Sequence, residues 1–147
     1  MTRPFRFSLQ RILDIRRQQE EKAQMELAQA ENRLKSRQQE AEALSNELQR
    51  AGTELAAKPQ LTPDELWMWR SYKERILLEM RSAERELQEL ETKVNECRRE
   101  ALEQSKERRK LEKLRENKAL EHKHTEERKE QQVLDEMATL RYTKRFV

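Results

Sequence analysis

The feature that most constrains this chain is a heptad repeat of apolar residues, which runs in two ladders separated by one short break. In the first ladder the a series is Leu13, Glu20, Leu27, Leu34, Ala41, Leu48 and Leu55, and the d series is Leu9, Arg16, Ala23, Ala30, Arg37, Leu44 and Ala51. In the second ladder the a series is Leu66, Lys73, Met80, Leu87, Val94 and Ala101, and the d series is Trp69, Ile76, Ala83, Leu90 and Cys97. Most of these sites are apolar and their flanks are charged, which is typical of a narrow coiled-coil seam.

A proline-containing segment separates the two ladders and predicts the only turn. Pro59 disfavours helix at Lys58. The following Thr62-Pro63-Asp64-Glu65 is typical of a helix start, with Thr62 as cap, Pro63 at the first helical position and Glu65 reaching back as in a capping box. We therefore predict a single coiled-coil domain over residues 1–147, with a helix at about 8–56 capped by Ser8, a turn at 57–62, a helix at about 63–140 and a tail at 141–147.

The composition favours long helices and argues against several classes of function. Charged residues make up 41% of the chain and hydrophobic residues only 34%, so strong helix formers are abundant and the apolar volume of a broad core is missing. The 32 basic and 29 acidic residues alternate in sign, as on solvated helix surfaces, and form no basic block for nucleic acid. We expect no membrane span, because the apolar runs are too short, and the lone Cys97 fits a reducing compartment.

Two stripes joined by a short turn should fold back on each other as an antiparallel, all-α hairpin with a longer second helix. With the turn near residue 60, facing residue numbers sum to about 121, which places Leu27 near Val94 and Leu13 near Arg108. Residues from about 115 onward should then overhang as a charged single helix. A parallel homodimer through the same stripes is the competing architecture.

No arrangement of residues predicts catalysis, a cofactor or a metal. The carboxylates alternate with Lys and Arg on exposed faces, where nothing shifts their pKa values. His122 and His124 are two apart and point in different directions on a helix, so they cannot share a metal. Cys97 occupies a d position and is most simply a small buried apolar residue. We therefore expect the protein not to be an enzyme.

Two clusters of residues are candidate interfaces. The first follows the turn: Trp69 is on the seam, whereas Trp67, Met68 and Tyr72 are off it and form either a partner surface or a cap over the loop. The second joins the two ends of the chain, where apolar residues return at helical spacing after a mainly charged stretch. Its members are Arg3, Phe5, Arg6, Phe7, Arg11, Arg16 and Arg17 near the start, and Val133, Leu134, Met137, Leu140, Arg141, Tyr142, Lys144, Arg145 and Phe146 near the end.

The two ends of the chain also carry a family resemblance. The opening Phe5-Arg6-Phe7-Ser8-Leu9-Gln10-Arg11-Ile12-Leu13-Asp14-Ile15-Arg16 is similar to the start of the FliJ family of flagellar type III export proteins. The acidic-then-basic stretch from Asp135 to Arg145 resembles the family's ending. The resemblance covers the whole chain in length, helix asymmetry and charge.

This resemblance implies a cytoplasmic export component, peripherally associated with the inner face of the cell membrane at the flagellar base through its partners. Such proteins are similar to the central stalk of rotary ATPases. They bind and stimulate the hexameric export ATPase FliI, contact the export gate FlhA and interact with substrate chaperones, without cofactor or nucleic acid. By analogy, the paired helix ends (Phe5, Phe7, Arg11, Arg16, Arg17, Val133, Met137, Leu140 and Arg141) would bind the ATPase. The hairpin end, with Trp67, Met68 and Tyr72, would face the gate by position alone.

Two alternatives stay open from the residues. The stalk of a virulence type III secretion system has the same physical pattern, and a homodimeric coiled-coil scaffold or tether would use the stripes between chains.

Overall fold

The chain forms two α-helices that pack antiparallel, as a computed structural model of residues 3–146 shows. Helix α1 spans Gln10–Ala56 and helix α2 spans Pro63–Phe146, so the fold is all-α with the longer helix second, which confirms the predicted fold class. The loop between them covers residues 57–62. Side chains are described through residue 145.

Local hydrogen bonds explain where α1 begins and ends. Its first turn is preceded by a turn in which the Gln10 amide donates to the Phe7 carbonyl at 3.1 Å, so α1 starts two residues after Ser8, the expected cap. At the other end, the Lys58 amide donates to the Leu55 carbonyl at 3.2 Å, a tighter i,i+3 closure. Pro59 follows at once and cannot extend the helix, because it has no amide hydrogen.

Thr62 caps the start of α2. Its hydroxyl oxygen accepts a hydrogen bond from the Glu65 amide at 3.2 Å, and its carbonyl accepts one from the Leu66 amide at 3.1 Å. The Glu65 carboxylate lies 3.9 Å from the Lys58 ammonium across the loop, in place of the reciprocal contact of a capping box. Without glycine or proline after Pro63, α2 continues through Phe146, so residues 141–146, expected in a tail, are helical.

The chain divides into two units, each with its own helix pair. The loop unit comprises residues 22–102, and the terminal unit comprises the described residues of 1–21 and 103–147. Because α1 and α2 run through both, each unit contains one piece of each helix.

The loop unit is held together by the predicted seam. Every a and d site of α1 in this unit is buried or half-buried, and Ala30, Val94 and Cys97 form a buried cluster against which Leu27 and Leu34 pack. In α2 the exceptions are Lys73 and Leu66, which are exposed. Burial of one side chain such as Val94 contributes about 1.5–3 kcal/mol to the stability of the folded chain. The buried seam residues are therefore the main apolar contribution that holds the two helix pieces of this unit together.

Ion pairs flank the seam of the loop unit on its outer edges. Arg37 Nε lies 2.7 Å from a Glu86 oxygen, and Arg98 Nη2 lies 3.6 Å from a Glu31 oxygen. A hydrogen bond to Glu40, together with the Glu86 contact, raises the pKa of Arg37, so this d-site guanidinium stays charged at the edge of the seam. Exposed ion pairs of this kind add little stability.

Apolar contacts follow the predicted register, whereas ion pairs between long side chains join residues whose numbers have a larger sum, as in Glu31 with Arg98. Gly52 and Trp69 contact each other with residue numbers that sum to the expected 121, and Leu27 packs on the cluster that contains Val94. In the terminal unit, however, Arg108 contacts Glu20, one heptad from Leu13, the residue expected beside it. Side chains on a helix lean toward its N-terminus. Because α1 and α2 are antiparallel, Glu20 leans away from the loop and Arg108 leans toward it, so the two side chains meet although their Cα atoms are offset along the helices.

The terminal unit extends further along α2 than the predicted overhang allows. Leu13 is fully buried, and the half-buried residues of α2 continue past Leu111 to Ala119, His122 and Glu126, whereas residues 127–145 are exposed. The overhang therefore begins near residue 127 and not near 115. Residues 3–9 precede α1 without helical structure, and Arg3 and Phe5 contact His122 in this part of α2, which a heptad pattern cannot reveal.

Candidate docking surfaces

Residues 3–9 form a segment, the N-terminal strap, that lies on α2 through His122. The His122 Nε2 atom is 2.8 Å from the Arg3 carbonyl oxygen, and the imidazole is tilted against the Phe5 ring with centroids 5.7 Å apart. Phe5 and Phe7 are both half-buried. Two candidate site residues, Phe5 and Phe7, therefore lie in the strap, which His122 holds on α2 through Arg3 and Phe5.

The three candidate arginines of α1 have different surroundings. Arg11 is exposed, whereas Arg16 is half-buried at its d site and donates to Gln19 at 3.4 Å. Arg17 donates from Nη2 to Glu112 at 3.3 Å and lies 3.7 Å from Asp14. Arg11 is therefore the arginine most available to a partner, while Arg17 also holds the helices of the terminal unit together.

A charged layer lies beside these arginines. Glu20 is buried at an a site, and Arg108 donates to it and, at 2.6 Å, to Glu112. The hydrogen bond to Glu20 raises the pKa of Arg108, which stays protonated. A single ionic pair at a-type sites of a coiled coil specifies register. The sequence signal was present, since Glu20 interrupts one ladder and Arg108 continues the other.

The C-terminal stripe comprises Val133, Leu134, Met137 and Leu140 on the exposed part of α2. Their exposed fractions lie between 51% and 64%, although all four are large aliphatic residues. Leu134 belongs to the predicted cluster at the chain ends, although it was not among the residues assigned to the ATPase by analogy. Arg141 is exposed beside the stripe. These residues belong to the terminal unit. They follow Glu126, the last residue of α2 that is half-buried.

The loop end presents a second apolar surface. Trp67 is 70% exposed and Met68 is 65% exposed, so neither forms a cap packed over the loop. Leu61 and Leu66 are exposed beside them. These four residues define the tip patch, which has the Trp and Met content of a protein interface.

Tyr72 belongs to the packing beneath the tip patch. Its hydroxyl donates to Glu47 on α1 at 2.9 Å, its ring lies 6.1 Å from Trp69, and Arg75 lies over its face at 5.6 Å. The hydrogen bond to Glu47, with a contribution from partial burial, raises the pKa of Tyr72. Trp69 packs on Gly52, where an added Cβ would lie 3.4 Å from the indole.

Neither surface carries the ligands of a metal site. Among the described residues, no group of three or more His, Cys, Asp or Glu side chains could hold a metal ion, and the Cys97 thiol is buried in the seam. Within the same residues, no helix has the length and apolar character needed to cross a membrane.

An antiparallel helix pair of this kind defines a coiled-coil protein, here with exposed apolar side chains at its loop and near the end of its second helix. The particular family is shown by the sequence as a whole. The chain belongs to the FliJ family, since the family described as Flagellar FliJ protein matches residues 5–145. It is accordingly a flagellar, export-related protein. No curated protein and no solved structure matches the chain.

Proposed function

We propose that the protein binds and stimulates the hexameric export ATPase FliI through its terminal unit, and links the ATPase to the export gate FlhA through its tip patch. The observation that carries the proposal is the C-terminal stripe, where four apolar side chains of α2 are more than half exposed. Contiguous exposed apolar surface is costly in water and marks an interaction site. Membership of the FliJ family supplies the context of flagellar export.

The terminal unit combines this apolar stripe with exposed arginines. Arg11 at the start of α1 and Arg141 on α2 are both exposed. Apolar side chains give such an interface its affinity, and Arg gives it directed hydrogen bonds to carboxylates. Phe5 and Phe7 are half-buried, and Phe5 contributes chiefly by holding the strap on His122 of α2.

Stimulation of the ATPase requires only that the protein binds one conformation of the ATPase subunits better than the others. A single helix pair placed in a hexameric ring contacts its subunits unequally. If one subunit conformation is bound better than the others, binding shifts the ring toward that conformation by the difference in binding free energy. Stimulation of hydrolysis then follows without a catalytic group from this chain.

The tip patch is assigned to the gate. Trp67 and Met68 face solvent from the first turns of α2, whereas Tyr72 is engaged with Glu47, so the contact is carried by Trp67 and Met68 and supported by Tyr72. With the gate in the membrane, the protein would be cytoplasmic and held at the inner face of the cell membrane at the flagellar base through its partners. Substrate chaperones are the further proposed class of partner.

The hydrolysis rate of the cognate export ATPase, measured with and without this protein, tests the first assignment. We expect the wild type to stimulate hydrolysis. The Arg11→Glu/Arg141→Glu variant should lose this stimulation, because both side chains are exposed and the reversed charge would repel the carboxylates that the arginines are proposed to bind. Arg33→Glu, the same charge reversal at an exposed site of the loop unit, is the matched control. Absence of binding and stimulation by the wild type would contradict the proposal and favour a scaffold.

A pull-down with the soluble domain of the gate protein tests the second assignment. Trp67→Ala/Met68→Ala should abolish binding at unchanged thermal stability, since both side chains are exposed. Full retention of gate binding in this variant would show that the contact lies elsewhere.

A further inference from the structure

One face of the last turns of α2 carries its charges in a defined order. At 100° per residue, an arc of about 140° contains first acidic, then apolar, then basic side chains. These are Glu127 and Glu130, then Val133, Leu134, Met137 and Leu140, then Arg141 and Lys144. Asp135 and Glu136 fall outside this arc. The order of charge is therefore a property of this face and not of the whole helix surface.

This ordered face is uncovered. All residues of 127–145 are exposed, and no ion pair within the described residues 3–146 engages Glu130, Arg141 or Lys144. Val133, Leu134 and Glu130 line a shallow groove at the acidic end of the face. The surface is thus available for a helix that is apolar at its centre and charged at both ends.

A second copy of the same segment meets this requirement in one orientation. In an antiparallel pair in which facing residue numbers sum to 271, Glu130 faces Arg141, Glu127 faces Lys144 and Leu134 faces Met137. The two-fold symmetry repeats each contact. In a parallel pair the same residues would face themselves, so glutamate would oppose glutamate and arginine would oppose arginine, which is unfavourable.

We propose that two copies of this chain pair through residues 127–145 as an antiparallel, two-fold symmetric helix interface. A symmetric contact of this kind closes on itself and forms dimers without extending into filaments. The seam between α1 and α2 is not used, because it is already filled within each chain. The segment is shorter than a standard interface, so we expect a dissociation constant on the order of tens of micromolar.

The dimer would cover Val133 and Met137 and so hide the surface assigned to the ATPase. This regulatory consequence rests on the proposed function, whereas the pairing itself does not. Free protein would be held as a dimer, and the ATPase and the second copy would compete for the same face.

Sedimentation velocity of the full chain, from about 5 to about 300 µM, tests the pairing. The wild type should shift from monomer to dimer over this range. The variants Glu127→Lys/Glu130→Lys and Arg141→Glu/Lys144→Glu should each stay monomeric, because like charges then face each other. An equimolar mixture of the two should dimerise, since opposite charges face each other again.

Two further variants serve as a rescue and as a control for the charge reversals. The chain that carries all four substitutions is self-complementary once more and should regain dimerisation. Arg128→Glu reverses a charge on the opposite side of the helix and should leave the wild-type equilibrium unchanged. All substituted residues are exposed, so circular dichroism should show unchanged helix content.

A wild type that is monomeric throughout the range, or a dimer that both charge-reversed variants retain, would overturn the proposal. Failure of the mixture to dimerise while the wild type does so would also overturn it. Because no measurement includes the ATPase, failure of the pairing and failure of the ATPase assignment are read out separately.

Discussion

At the scale of single residues, Gly52 is a helical glycine whose backbone needs no glycine. Its φ is not positive, and an added Cβ would lie 3.4 Å from the Trp69 indole, an ordinary van der Waals distance. Gly52→Ala should therefore stabilise the protein by about 0.5–1 kcal/mol through helix propensity and a less flexible unfolded chain. Urea denaturation checks this value. Gly52→Leu, which would displace the indole, should destabilise instead, and a destabilised alanine variant would contradict the argument.

Tyr72 makes a prediction about pH. Its pKa is raised above 10.0, chiefly by the hydrogen bond to Glu47, so the folded state favours the protonated phenol. The corresponding stability is fully present below pH 10 and is lost as the pH rises through the higher folded-state pKa. In a Tyr142→Phe background, the tyrosinate absorbance of Tyr72 should have its midpoint above pH 10, and Glu47→Gln should lower it. Equal midpoints in the two variants would exclude the proposed cause.

At the scale of the helices, the sequence predicted most of the structure because the coiled-coil seam is a one-dimensional pattern. Every a and d site of the first ladder lies on the packed face, and Thr62 caps α2 as expected. The departures occur where contacts are not periodic. The strap has no heptad pattern, so its contact with His122 was not predictable. Glu20 and Arg108 are visible in the ladders as charged a sites, but the predicted register placed Arg108 beside Leu13 and so did not pair the two.

The pair of Glu20 and Arg108 supplies a prediction for this scale. Glu20→Leu should destabilise the protein by about 1 kcal/mol or more, because Arg108, whose side chain is only 24% exposed, loses an acceptor. The double variant Glu20→Leu/Arg108→Leu should recover or exceed the wild-type stability, since apolar pairs replace buried ionic pairs well. Chemical denaturation of the three proteins tests this. A double variant less stable than either single variant would show that the ionic pair itself is the larger stabilising term.

At the scale of the whole molecule, the two ends of the chain should differ in what they do for stability. Residues 127–145 of α2 are exposed throughout, whereas Phe5 in the strap is half-buried and contacts His122 of α2. A chain that ends at Glu126 should keep the melting temperature of the full chain while losing ATPase stimulation. A chain that lacks residues 1–8 should melt lower, because His122 loses its contacts with Arg3 and Phe5.

Thermal unfolding followed by far-UV circular dichroism, at a concentration well below the proposed dimer dissociation constant, separates the two effects. At higher concentration the pairing of residues 127–145 would add stability by mass action to the full chain alone. The melting temperature of the full chain should therefore rise with concentration, while that of the chain ending at Glu126 should stay constant. A concentration-dependent melting temperature in both would mean that the chains associate through the seam, and the intramolecular helix pair would then have to be abandoned as the form in solution.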